Sequence, residues 1–300
     1  MILIVGATGI LGGMITQKLL SEGKDVRVLV RHDSPAKAMA LQGLATSPQV
    51  LIEAGAEPVY GDLKDPVSLD KACEGIETII TTANSSMRGG EDNVETVDRQ
   101  GNRNLIEAAR VSGVKQFIFT SFLGADLNHP VPLFQAKAET EAALTESGMP
   151  FTILSPNYFM ESWIGMVVGI PLQAGQPITL VGKGQRLHSL ISVGDVAAFA
   201  VAAVGHPAAI NQRLPLGGPE PLSWHGIAET FSRVLGKELP VKFVAPGEAI
   251  PGLPEIVPAV LAGMETYDSP VDMVETARTF GVEQTSLTSF VRRMLGSPNE

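Results

Sequence analysis

The sequence predicts a doubly wound α/β fold, a parallel sheet with helices on both faces followed by a smaller C-terminal subdomain. Three observations predict it. A short apolar, β-branched run, Ile2-Leu3-Ile4-Val5, meets a glycine-rich turn at Gly6, and helical spacing follows at once. From there to about residue 120, strand-like runs alternate with helical stretches, the pattern of parallel strands joined by crossover helices. The chain has 300 residues, 44% of them hydrophobic, which is enough to bury one large domain with an appendage. The sheet domain is expected over 1–155, rejoined by about 186–204, and the smaller subdomain over 156–300.

Ile2–Val5 reads as the first strand, and Gly6-Ala7-Thr8-Gly9-Ile10-Leu11-Gly12 follows it with the spacing Gly-x-x-Gly-x-x-Gly. A backbone closes on a pyrophosphate only where side chains are absent, and the amides opening the next helix then point at the anion. Gly6, Thr8, Gly9, Ile10, Leu11 and Gly12 are therefore candidate pyrophosphate residues of a Rossmann dinucleotide site; the plain alternative is a glycine-rich turn with no ligand. A helix over Leu11–Ser21 follows, stopped by Gly23. Val26, Val28 and Val30 alternate with other residues in a second strand over Asp25–Val30. The residue after that strand separates the cofactors, because an acid there accepts hydrogen bonds from ribose hydroxyls while a base pairs with a 2′-phosphate. Arg31 stands there with His32 and Lys37 close by, which favours NADP(H) over NAD(H). Asp33 pulls the other way, and an ordinary surface charge is the plain reading of Arg31.

Gly43 and Thr46-Ser47-Pro48 interrupt the helical stretch Ser34–Ala54, so two short helices or a helix and a loop are expected. Glu57–Tyr60 is the third strand. In the turn Gly61-Asp62-Leu63, set beside the adenine, Asp62 either binds the base edge or caps the helix that Pro66 begins. Ile76–Thr82 is the fourth strand, and Thr82, Ala83 and Asn84 open a small polar loop suited to a nicotinamide ribose. A long amphipathic helix over Glu91–Val111 and a fifth strand over Gln116–Thr120 complete the alternation. Right-handed crossovers bring every strand's carboxyl end to one edge, so Gly6–Gly12, Arg31, Asp62, Thr81–Ser86 and Thr120-Ser121 converge there.

A net charge of -10, a pI near 5.1 and 22 scattered basic residues argue against a nucleic-acid partner. Cys73 is the single cysteine, which excludes an intramolecular disulfide and a cysteine-cluster metal site; it reads as a small buried hydrophobe suited to a reducing cytoplasm. No metal site is expected. Met1 leads straight into the first strand, and no apolar stretch reaches membrane-spanning length, so a cytoplasmic protein with a small-molecule partner and no membrane partner is expected.

Several stretches together resemble the NmrA-like branch of the atypical short-chain dehydrogenase/reductase superfamily. They are the glycine loop, Val26–Arg31, Gly55–Leu63, Gly113–Ser121, Pro150–Phe159 and Ile191–Ala197. The resemblance implies NADPH-dependent reduction of quinones and aromatic compounds, isoflavone-reductase-like chemistry, or a catalytically silent redox sensor. Ordinary short-chain dehydrogenases place a tyrosine four residues before a lysine, so that the ammonium lowers the phenol's pKa. The matching lysine is Lys137, but Leu133 stands at the tyrosine position, and Phe134 cannot donate a proton. By resemblance Lys137 takes the catalytic role; holding the ribose hydroxyls and a solvated helix lysine are its alternatives.

The same resemblance places Ser121 near the substrate, where it could instead only close the strand. It carries Ser155–Phe159 across the nicotinamide end, with Asn157 orienting the segment or the carboxamide, Tyr158 as a substitute hydroxyl and Phe159 among the cofactor residues. His129, on the loop before the Lys137 helix, is a candidate to reach a substrate, or is solvated. Met160–Leu172 suits a hydrophobic lid over an apolar or aromatic acceptor, or plain core packing. The chain is expected to return through Leu190–Val193 into the sheet, with Asp195 as a helix N-cap and His188 without a recognisable partner. The expected function is an NADPH-dependent reductase passing hydride to a small quinone, conjugated carbonyl or aromatic acceptor, and the alternative is a non-catalytic cofactor sensor.

Overall fold

The computed structural model describes residues 1–32, 46–86, 88–253 and 256–296. Contacts divide the chain into two compact units, Met1–Pro156 with Val196–Pro215, and Asn157–Asp195 with Leu216–Glu300.

The first unit is built on β1 (Ile2–Val5), β2 (Val26–Val30), β3 (Glu57–Tyr60), β4 (Thr78–Thr81), β5 (Gln116–Thr120) and β6 (Phe151–Pro156), with a last strand at Gln212–Leu216. Across the seven-stranded sheet the order is β3-β2-β1-β4-β5-β6 and then the last strand. This is the dinucleotide-binding order, with the switch point between β1 and β4. All five ladders from β3 to β6 are parallel, and Val5 pairs with Leu29 on one side and Thr81 on the other. Every residue of β1, β4 and β5 is buried, because a parallel sheet covered on both faces needs continuous apolar strands. β3 lies at the edge and buries only Val59.

Five helices of the first unit bear on the site: α1 (Ile10–Ser21), α2 (Pro48–Glu53), α3 (Pro66–Cys73), α4 (Asn102–Val111) and α5 (Pro132–Glu146). Leu3, Ile79, Phe117 and Phe119 from the strands pack with Leu69, Leu105, Ala109 and Leu144 from the helices in one apolar cluster. Cys73 belongs to that cluster, and burial pushes its thiol up to about 12.

Three expectations are corrected. The helix expected from Glu91 starts at Val94, where Asn93 accepts from Glu95 and Thr96 N–H groups, and its first eight residues are π-wound before α4 continues. Leu190–Val193 does not enter the large sheet; Ile191 makes an isolated bridge with Phe159, and Gln212–Leu216 supplies the returning strand. Asp195 is the third residue of the helix Val193–Ala202 rather than its cap, and its carboxylate accepts from the N–H and hydroxyl of Thr285, both at 2.8 Å.

In the second unit Ile178–Val181 and Val241–Val244 form a two-stranded parallel sheet. The helix Trp224–Leu235 is capped by Ser223 and stopped by Gly236. No helix among the described residues is long and apolar enough to cross a membrane.

Candidate functional site

The glycine loop leaves β1 at Gly6, whose φ of +88° a side chain would strain. Gly12 has a different reason to be glycine: a Cβ there would lie 2.2 Å from the Gly6 carbonyl oxygen, so α1 can press on the loop only without one. Gly9 is the N-cap of α1 and donates its N–H to Gly6 O at 3.0 Å. The first-turn amides, including those of Ile10 and Leu11, have no partner within the helix and carry its positive dipole end. Thr82 donates its hydroxyl to the same Gly6 carbonyl at 3.4 Å, which ties the end of β4 to the loop. Asn84 closes a local turn by accepting from Ser86 N–H at 2.9 Å. Gly6, Thr8, Arg31, Asp62, Leu63 and Ala83 line one cavity, with Arg88 and Asp92 completing its wall.

Charge in this cavity is concentrated on one carboxylate. Arg31, at the end of β2, forms an ion pair with Asp92. Lys64 reaches the same carboxylate at 2.8 Å and Arg88 at 3.2 Å. Burial alone would raise the Asp92 carboxyl, but hydrogen bonds from Lys64, Arg31 and Arg88 outweigh it and hold it at about 2. Asp92 is therefore ionised throughout the neutral range. Asp62 accepts from Lys64 N–H at 2.8 Å and lies 3.9 Å from the Lys64 ammonium. It does not cap α3; Asp65 does, accepting from Val67 N–H. His32 stacks on Tyr60, ring centroids 4.6 Å apart. Lys37 and Asp33 lie outside the described residues.

The end of β5 carries a second buried polar group. Lys137, on α5, is buried and donates to Thr120 O at 2.8 Å, with its ammonium 4.7 Å from the centroid of the Phe119 ring. Burial lowers its pKa, and the charges of Asp98 and Glu141 oppose that shift. The solvated-lysine alternative is thereby overturned. Asp98 accepts from Ser85 N–H at 3.0 Å through one oxygen, while its other oxygen is buried with no hydrogen-bond partner among the described residues. Ser121 is buried and donates its hydroxyl to Glu141, whose carboxyl burial pushes up despite that bond and the nearby Arg213. His129 is half-buried on its loop: its Nδ1 accepts from Val131 N–H at 3.0 Å and its ring stands edge-on to Phe134.

Asn157, Tyr158 and Phe159 follow β6 in the chain and belong to the second unit. Asn157 donates to the carbonyl and hydroxyl oxygens of Ser269 at 2.9 and 3.0 Å. Tyr158 is buried, with its hydroxyl 2.7 Å from that of Tyr267; burial and that bond push its pKa up. His188, for which the sequence names no partner, is hydrogen-bonded through both ring nitrogens: Nε2 donates to Met264 O at 3.1 Å, which leaves Nδ1 to accept from Ser269 at 2.7 Å. Met160, Ile164, Val167 and Val168 of the expected lid are buried.

Sequence reasoning missed Lys64, Arg88, Asp92, Asp98 and Glu141. For Glu141 a signal existed, since it stands one helical turn after Lys137. Arg88 likewise stands four residues before Asp92, whereas Lys64 reaches Asp92, and Asp98 comes near Lys137, only through the fold.

Residues 1–293 match the model of the NmrA-like family. A photosystem II assembly factor of Guillardia theta is 29% identical over 300 aligned residues, covering 96% of this chain and 91% of that protein. An NAD(P)H azoreductase of Xenophilus azovorans is 31% identical, covering 82% and 77%. Among solved structures, an NADPH-dependent quinone oxidoreductase of Escherichia coli in complex with NADPH is 25% identical with a TM-score of 0.78, covering 98% of this chain and 100% of that one.

Proposed function

Because the chain belongs to the NmrA-like family, we propose that it is an NADPH-dependent reductase that passes a hydride to a small quinone, conjugated carbonyl or aromatic acceptor. The observation that carries this reading is the convergence of Arg31, Lys64 and Arg88 beside the glycine loop, a cationic group suited to a 2′-phosphate. Quinone, azo and NADPH chemistry in similar proteins supports it.

NADPH, when bound, supplies the hydride. The cradle fits such a ligand: a Cβ at Gly6 or Gly12 would collide with the loop's own backbone or Thr82, so only glycine keeps it closed around an anion. The amides at Gly9–Gly12 receive the pyrophosphate, and Thr8 flanks it. Asp62 and Leu63 hold the adenine, while Thr82, Ala83 and Asn84 line the bed of the nicotinamide ribose. By the family resemblance Lys137 serves the transfer step, with the ribose hydroxyls as its alternative contact. The family resemblance, and not a contact in this structure, assigns Asn157 and Phe159 to the nicotinamide and names Ser121 and Tyr158 as candidate hydroxyls. A quinone that accepts hydride takes its proton from water, so the chain needs positioning more than a proton relay. The acceptor is an apolar or aromatic small molecule, and the compartment a reducing cytoplasm in keeping with the buried thiol of Cys73.

A second reading, a cofactor-binding sensor without turnover, draws on Leu133 in the tyrosine position and on Ser121 and Tyr158, whose hydroxyls are engaged with Glu141 and Tyr267. Under either reading the cofactor is testable alone. Titration of the protein with NADPH and NADH should show tighter binding of NADPH; equal affinities would overturn the cofactor assignment.

A further inference from the structure

We propose that Asp92 is a specificity-determining residue, a resident competitor for the 2′-phosphate whose carboxylate sets how far NADPH is preferred over NADH. The proposal rests on the NADPH reading above.

Arg31, Lys64 and Arg88 come from three separate segments, the end of β2, the turn after β3 and the loop after β4, yet all three direct an N–H group at one carboxylate. Asp92 is the more enclosed partner, its side chain 14% exposed against 19% for Arg31, 31% for Lys64 and 29% for Arg88. A phosphate recognised by those cations needs the same N–H groups, because charge-assisted hydrogen bonds to oxyanions are directional and saturable. Asp92 thus holds the cationic group together and occupies it. Asp62 and Glu91 also act on Lys64, so the three cations and three carboxylates carry no net positive charge. A dianionic phosphate entering the group makes it strongly negative, and removal of the Asp92 charge halves that excess.

The competitor is anchored. Asn93, the next residue, fixes the start of the π-wound helix by accepting two backbone N–H groups and donating its own N–H to Thr96. Withdrawal of the carboxylate therefore falls to side-chain rotation, on a residue that follows Gly89-Gly90, where Gly90 adopts φ +63°. NADH carries no 2′-phosphate and leaves the ion pairs intact, so Asp92 acts against one cofactor and spares the other.

The experiment compares the full-length wild type with Asp92→Asn, Asp92→Ser and Arg31→Ala by calorimetric titration. The ligands are NADPH, NADH, adenosine 2′,5′-bisphosphate and adenosine 5′-monophosphate. Both Asp92 variants should bind NADPH and the bisphosphate about tenfold more tightly, with NADH and the monophosphate changed less than about twofold. Weaker or unchanged NADPH binding in both, with Arg31→Ala still losing the preference for NADPH, would overturn the proposal and leave the cofactor reading intact: Asp92 would then only scaffold the cations. Equal tightening of all four ligands would overturn it too, as a general effect of charge. Loss of any NADPH preference in the wild type, unaltered by Arg31→Ala, would remove the cofactor reading and the proposal together.

Discussion

Replacing Lys137 with methionine is expected to lower kcat by about a hundredfold or more while NADPH affinity changes by less than about tenfold, because a positioned ionisable group contributes roughly that much to a transfer step. Methionine keeps the length and apolar stem of the side chain and deletes only the ammonium over Phe119 and its bond to Thr120 O. Steady-state kinetics with a fixed acceptor, alongside a cofactor titration, separate the outcomes. Full activity with intact binding would remove Lys137 from catalysis, and a loss confined to affinity would limit it to holding the ribose. The pH dependence supplies a second readout. Burial lowers the pKa of Lys137, so its charge is lost on the alkaline side earlier than that of an exposed lysine. The wild-type rate should therefore fall as pH rises through that lowered pKa, and the fall should vanish in Lys137→Met. Stability moves the other way: between the lowered folded pKa and the ordinary unfolded one the unfolded chain binds more protons, so stability from this group rises with pH across that window.

Replacing Arg31 with alanine should weaken NADPH binding by about ten- to a hundredfold, the loss of a charge-assisted contact to the 2′-phosphate, and leave NADH nearly unchanged. Arg31 ends the central portion of the sheet next to the glycine loop, and its ion pair with Asp92 shows that its guanidinium is turned into the cavity rather than toward bulk solvent. Raising salt should weaken NADPH binding to the wild type more steeply than to Arg31→Ala, since screening acts on the contact that the substitution removes. An unchanged NADPH-to-NADH ratio in Arg31→Ala would refute the assignment.

Much of this geometry is legible in the sequence. The parallel strands follow from short apolar runs, and right-handed crossovers put their carboxyl ends on one edge, so the loop at Gly6–Gly12 and the residue at Arg31 could be placed there together; the strand order is a finding of the structure. What escaped was tertiary. Arg31, Lys64 and Arg88 lie far apart in the chain, and only the folded sheet edge brings all three onto the Asp92 carboxylate; Arg88 alone stands close to it in sequence, four residues before. Asp62 is a possible cap by composition, but the residue directly before the helix-opening Pro66 is Asp65, and it makes the cap. The last strand, Gln212–Leu216, holds Pro215 and alternates weakly; proline removes a ladder donor and is tolerated there because the strand is the sheet's edge. Asp195 resembled a cap because an acid near a helix start is favoured by the dipole, yet its carboxylate is spent on Thr285. Tyr158 and His188 show the same limit, since their hydrogen-bond partners are some 76 to 109 residues away in the chain.

The measurement that bears most directly on the proposed function is oxidation of NADPH, followed by its absorbance, when the protein is mixed with a panel of quinones, enones and azo compounds. The account predicts catalytic turnover with at least one apolar aromatic acceptor, faster with NADPH than with NADH at equal subsaturating concentration. Tight NADPH binding with no turnover of any acceptor would contradict it and identify the protein as a cofactor sensor.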